Sequence, residues 1–222
     1  MKRENKIKIC CIWVAVFLCL WVTPGVRVLG QNVASILDKA ASAYEESDGL
    51  TVYFTMQTRS DVQKVSESFD GTVDIKGDKF VLKTPDMITW FDGTTQWSFV
   101  ERNAEVNVST PTGEELQVTN PALLLRSYKK GFTAQYKGES TAPNGKAAYD
   151  IELVPKKKSD IVRVELQIEK FSALPVSIAV FSKNGINSTI RISKIKTGVN
   201  QPDGFFVFKE KDYPDAEIID LR

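Results

Sequence analysis

From residue 50 onward, apolar side chains recur at every second position in one short run after another, and that period belongs to β-strands. Val52, Phe54 and Met56 share one face, as do Phe69, Gly71, Val73 and Ile75. The spacing returns at Phe80/Leu82, Trp97/Phe99, Val106/Val108 and Ala134/Tyr136, then through Ala147, Tyr149, Ile151 and Leu153. It continues through Val162, Val164, Leu166 and Ile168, Val176, Ile178 and Val180, Ile186, Ile190 and Ile192, and last Phe206 and Phe208. Turn chemistry separates the runs: Thr84-Pro85-Asp86, Asp92-Gly93, Asn144-Gly145, Lys156 to Asp160, Asn184-Gly185 and Asp203-Gly204. The pattern predicts about eleven strands in one continuous antiparallel sheet. No linker rich in Pro, Gly or Ser and no internal repeat divides residues 31–222, which read as one domain.

A sheet of that size must curl or close. Only two helices are written into the chain. Over Val33 to Glu46, Val33, Ile36, Leu37, Ala40, Ala41 and Tyr44 fall on one helical face, opposite Asp38, Lys39, Ser42 and Glu45. Asn32 can cap this helix and Asp48-Gly49 can stop it. Over Asn120 to Gly131, Asn120 can cap, Pro121 suits the first turn, Ala122 to Leu125 is apolar, and Lys129 and Lys130 suit the negative end of the helix dipole. Two helices cannot cover both faces of a flat sheet. The expected fold class is therefore α+β, mainly β: an incomplete, half-open antiparallel β-barrel of about 11 strands with helices lidding its concave face. Polar residues alternate with the apolar ones at Thr72, Asp74 and Lys76 and at Arg163, Glu165, Gln167 and Glu169, so the other face is expected to be wet throughout. Gly77 to Val108 reads as a meander with one apolar face, either core or the wall of a ligand cavity.

Residues 1–30 differ from the rest. Lys2, Arg3, Lys6 and Lys8 precede an apolar run of fourteen residues, Ile9 to Val22, shorter than the ~20 needed to span a bilayer. The run ends in Thr23-Pro24-Gly25 and then Val28-Leu29-Gly30, which predicts a secretory signal peptide cut near Gly30/Gln31; the alternative is an uncleaved anchor. Cys10, Cys11 and Cys19 all lie in this segment, so the mature chain would carry no disulfide, catalytic thiol or cysteine metal site. Leu18 stands where acylation of Cys19 would call for a small residue. Without residues 1–30 the chain has 24 basic against 27 acidic residues, a net charge of −3 that gives nucleic-acid binding no support.

The chain has no histidine, which removes the commonest general base and most transition-metal sites. It also lacks a nucleophile elbow, a phosphate-binding glycine loop and a calcium-loop spacing of acids. A hydrolase needing only two carboxylates stays open in principle, but the acids fall on polar strand positions and in turns, as on solvated faces. Neither an enzyme nor a cofactor is expected. Lys156 to Lys158 reads either as a basic patch for an anionic surface or, more commonly, as a solvated hairpin turn. Asn107-Val108-Ser109 and Asn187-Ser188-Thr189 match the N-glycosylation pattern but fall within strands. Trp90 and Trp97 could stack on sugars, or serve as core or apolar lining.

The order of these pieces resembles the LolA family of periplasmic carriers of outer-membrane lipoproteins. The matching residues are the amphipathic helix, Phe54-Thr55-x-Gln57, the strand at Gly71, Pro85-x-x-x-x-Trp90, Asp92-Gly93-x-x-x-Trp97-x-Phe99 and the Pro121-x-Leu123-Leu124 helix. The tail Tyr213 to Arg222 is similar to the ending of LolA-like proteins from Bacteroidetes. The resemblance implies an acyl-chain cavity lined by Phe54, Phe69, Phe80, Leu82, Trp90, Trp97 and Phe99, under a lid helix bearing Pro121, Leu123, Leu124, Leu125 and Tyr128. It further implies a monomeric periplasmic protein that binds acylated lipoproteins or other lipids, with an inner-membrane ABC transporter as donor and an outer-membrane acceptor. A sensor of lipids or lipoproteins, or a glycan-binding module, on the same half-barrel is the alternative. Thr84 stands where family members carry a lid-latching arginine, so the latch of this chain must differ.

Overall fold

The computed structural model is described here for residues 33–112, 116 and 121–222, leaving aside the side chains of Pro121, Ala122, Leu123 and Arg126. The segment read as a signal peptide and the caps Asn32 and Asn120 lie outside the described residues.

Helix α1 spans Val33–Glu45 and buries Ile36, Leu37, Ala40 and Tyr44, four positions of its predicted apolar face. Behind it the chain reverses through Asp48 and Gly49, both at positive φ. Only glycine fits at 49, where a Cβ would lie 2.3 Å from the Val199 carbonyl oxygen. The strands are β1 (Leu50–Ser60), β2 (Val65–Lys76), β3 (Lys79–Lys83), β4 (Met87–Phe91), β5 (Gln96–Val100) and β6 (Glu105–Ser109). After helix α2 (Pro121–Gly131) come β7 (Phe132–Thr141), β8 (Ala147–Pro155), β9 (Ile161–Glu169), β10 (Pro175–Ser182), β11 (Ile186–Thr197) and β12 (Glu217–Asp220).

All twelve form one open sheet in the order β12-β6-β5-β4-β3-β2-β1-β11-β10-β9-β8-β7. The half-open, mainly β architecture is the expected one, with two differences in its strands. Phe206 lies in a 3₁₀ turn over Asp203–Phe206 and Phe208 follows it, so this pair forms no strand. The chain instead ends in β12, which pairs with β6 in parallel and breaks the expected all-antiparallel order. β4 shows no alternation because Thr89, Trp90 and Phe91 are all buried, one face under the concave core and the other under the C-terminal segment.

Register separates residues that spacing alone places together. Phe80 pairs with Phe91, and Leu82 with Val73 and Thr89, on the concave side. Val81 pairs with Trp90, Trp90 with Trp97 and Trp97 with Val108, on the convex side. The meander is therefore apolar on both faces. Its convex side is covered by Phe205, Phe206, Phe208 and Tyr213, which pack on Val81, Trp90, Trp97 and Phe99. The outer face is consequently not wet throughout: it is polar over β1, β2 and β8 to β11 and apolar over β3 to β6. Lys79 fixes the start of this covering segment through an ion pair to Asp203 at 3.1 Å.

The main core fills the concave side, where both helices meet β1, β2 and β8 to β11. One bulge reverses an expected side chain. Phe181 pairs with Arg163 but Ser182 pairs with Ile161, so Val162 turns outward and is 43% exposed, while Ile161 faces inward.

Candidate functional site

The concave trough is built in rows set by strand register. Val52 lies beside Val73 and Val73 beside Leu82, Met56 lies between Phe69 and Ile190, and Ser188 lies beside Val180. Between the first two rows the Phe54 ring lies over Gly71, where a Cβ would come within 2.4 Å of its Cζ. These side chains enclose a cavity of about 590 Å³, within the ~300–1,000 Å³ usual for small-molecule sites. Leu124 of α2 and Phe132 at the start of β7 complete its lining.

The two ends of the cavity differ. Tyr44 enters from the last turn of α1, which leads into the start of β1. Its hydroxyl is buried without a hydrogen-bond partner among the described residues, and burial pushes its pKa up. At the other end of the strands the lining turns polar, with Thr84, Ser159, Ser182, Ser188, Lys157 and Lys158.

Phe54, Phe69, Leu82 and Leu124 all line the cavity. Phe80 is fully buried against Phe91, 5.4 Å between ring centroids, in the surrounding core and not in the cavity wall. Leu125 and Tyr128 are buried in the same core. Trp90, Trp97 and Phe99 lie on the opposite face of the sheet: Trp90 stands edge-on to Phe208 and Tyr213 at 5.5 Å from each, and Phe99 packs on Tyr213 at 4.7 Å. The side chains of Pro121 and Leu123 lie outside the described residues. Met56, Ile178, Val180, Ile190 and Ile192 belong to the wall and were not singled out from the sequence, although each sits on the alternating face. Strand pairing was the missing information.

Among the described residues Thr84 makes its hydrogen bonds within its own turn and none to α2. Its N–H and its hydroxyl both donate to the Met87 carbonyl, at 2.9 and 3.1 Å, closing the turn at Pro85. Helix α2 is tied to α1 instead. Lys129 Nζ lies 2.7 and 2.8 Å from the two oxygens of Asp38, and the Tyr128 hydroxyl donates to Asp38 at 3.3 Å. Burial, then the Asp38 charge and that hydrogen bond, push the Tyr128 pKa up to about 12. Lys156 Nζ donates to the Lys129 carbonyl at 2.5 Å, capping the end of α2.

Among the described residues no three acidic, histidine or cysteine side chains converge as a metal site requires. None of their helices is long and apolar enough to cross a membrane.

An open sheet with an apolar cavity under two helices is the half-open barrel class of fold. The chain belongs to the family described as outer membrane lipoprotein carrier protein LolA, whose model matches residues 28–184. The C-terminal segment over the convex face lies beyond that match. Among solved structures, an uncharacterized conserved protein from Thermus thermophilus is similar at TM-score 0.58 and 14% identity, over 86% of this chain and 99% of that one. A LolA superfamily protein from Nitrosomonas europaea is similar at 0.44 and 16%, over 79% and 97%. The lipoprotein LppX of Mycobacterium tuberculosis is similar at 0.44 and 16%, over 77% and 96%. At these identities the likeness is one of fold. No curated protein matches the chain.

Proposed function

We propose that this protein is a periplasmic carrier that binds the acyl chains of outer-membrane lipoproteins in its concave cavity and moves them from inner to outer membrane. The carrying observation is the cavity itself: about 590 Å³ between aliphatic and aromatic walls, with no carboxylate in the lining among the described residues. In this reading residues 1–30 are a cleaved leader, the chain works as a monomer, an inner-membrane ABC transporter loads it and an outer-membrane acceptor unloads it. It performs no catalysis. Its membership of the carrier family supports the reading.

Release has to be as feasible as binding. At roughly 0.8 kcal/mol per buried CH₂, one sixteen-carbon chain contributes about 12 kcal/mol gross. Full burial of two or three would pass the practical ceiling of about 18–21 kcal/mol for noncovalent affinity. Leu124, at 5% exposure, already occupies part of the trough, so cargo must displace α2 and give back some of that gain. A glycan-binding reading would need Trp90 and Trp97 presented to solvent, and both pack beneath the C-terminal segment. Native mass spectrometry of the protein isolated from its own periplasm tests the proposal. A copurified acylated species is expected; an empty protein that takes up oligosaccharide would refute it.

A further inference from the structure

Among the described residues the polar end of the cavity carries two cations and no anion. Lys157 and Lys158, in the connection between β8 and β9, are the charged residues of the lining, and neither pairs with a carboxylate among the described residues. Their neighbour Lys156 is committed elsewhere: its Nζ and backbone N–H donate to the Lys129 and Gly131 carbonyls at the end of α2, at 2.5 and 2.9 Å. That pair of bonds holds the connection against the lid helix and sets the next two lysines at the rim. Asp160, the nearest acid in sequence, is exposed and absent from the lining. Hydroxyls of Ser159, Ser182 and Ser188 add a polar collar. Beyond the collar the walls are aliphatic, through Val180, Ile190 and Met56 to Phe54.

An uncharged apolar cargo would leave this end unmatched. A molecule with one negative group at the end of an aliphatic chain matches both halves, because an anion between two ammonium groups beside a low-dielectric trough gains charge-assisted hydrogen bonds while its chain leaves water. We infer that the cavity binds an anionic amphiphile, its chain along Phe54, Met56 and Ile190 and its carboxylate or phosphate between Lys157 and Lys158. This rests on the reading of the trough as an acyl-chain site and specifies the head group, which that reading leaves open.

Calorimetric titration of the purified protein with dodecanoate, dodecyl phosphate and uncharged dodecanol, each below its micelle concentration, tests it. Both anions should bind about tenfold tighter than dodecanol at low salt, with the margin shrinking as salt rises. The double variant K157Q/K158Q should bring both anions down to the dodecanol level and leave dodecanol unchanged, whereas K194Q, at an exposed lysine of β11 outside the lining, should retain the preference. Stronger binding of dodecyl phosphate would mark a phospholipid-like head group, and stronger binding of dodecanoate a fatty acid. Equal binding of all three ligands, or a preference that survives K157Q/K158Q or disappears in K194Q, overturns the head-group site while the acyl-chain reading stands. Binding of none of the three overturns both.

Discussion

Gly71 sets how closely the Phe54 ring can lie on the sheet. A methyl there would meet Phe54 Cζ at 2.4 Å and the Lys83 carbonyl oxygen at 3.0 Å, so the ring must swing into the trough. Gly71→Ala should therefore cost about 1–3 kcal/mol in urea unfolding and weaken uptake of a fluorescent fatty-acid probe. Tyr44 is the opposite case. Because its buried hydroxyl has no partner among the described residues, Tyr44→Phe removes an uncompensated polar atom and should raise stability by about 1 kcal/mol in thermal unfolding. Tyr128 supplies a pH signature. Its folded pKa of about 12 lies above the ordinary tyrosine value near 10, so its contribution is complete below about pH 10 and is lost as pH rises through about 12. Unfolding midpoints measured across that range should fall, and Asp38→Asn should reduce the fall without abolishing it, since burial is the larger cause.

At the scale of elements, both helices and most strands were legible because each is amphipathic at its own period. Val33 to Glu45 showed its buried stripe in sequence, and so did β1 and β8. What spacing could not convey was which face of β3 to β6 looks inward, since Phe80 and Trp97 belong to equally apolar alternations and only pairing assigns them to opposite sides. A pattern of two also cannot announce a strand buried on both faces, as β4 is, or a bulge such as the one that turns Val162 out. Helix α2 is the element whose energetics matter most if the trough takes up acyl chains as proposed. Its Lys129–Asp38 contact is half-exposed on both sides, so the pair contributes about 0–1 kcal/mol, and Asp38→Ala should leave the fold intact while speeding probe uptake in stopped-flow mixing. Leu124→Glu places a charge in the trough, and circular dichroism should show a retained fold with altered probe binding.

The whole molecule uses one curved sheet for two separate apolar jobs. The concave side keeps space, and the convex side of the meander is sealed by residues 203–213. Trp90→Ala should thus cost about 3–5 kcal/mol of stability yet leave affinity for an acyl probe at the wild-type level, measured under conditions where the variant is folded. A loss of affinity in the folded variant would mean that the two faces are coupled. Among the described residues the open sheet also leaves two free edges, β7 and β12. β12 is only four residues long, Glu217 to Asp220, and its last carboxylate is engaged by Arg222 at 2.6 Å. β7 is longer, but its register slips between Tyr136 and Gly138, and Lys137 and Glu139 sit at that slip. A short charged edge and a kinked charged edge are poor templates for another strand, so the openness of the sheet does not invite fibre growth from either side.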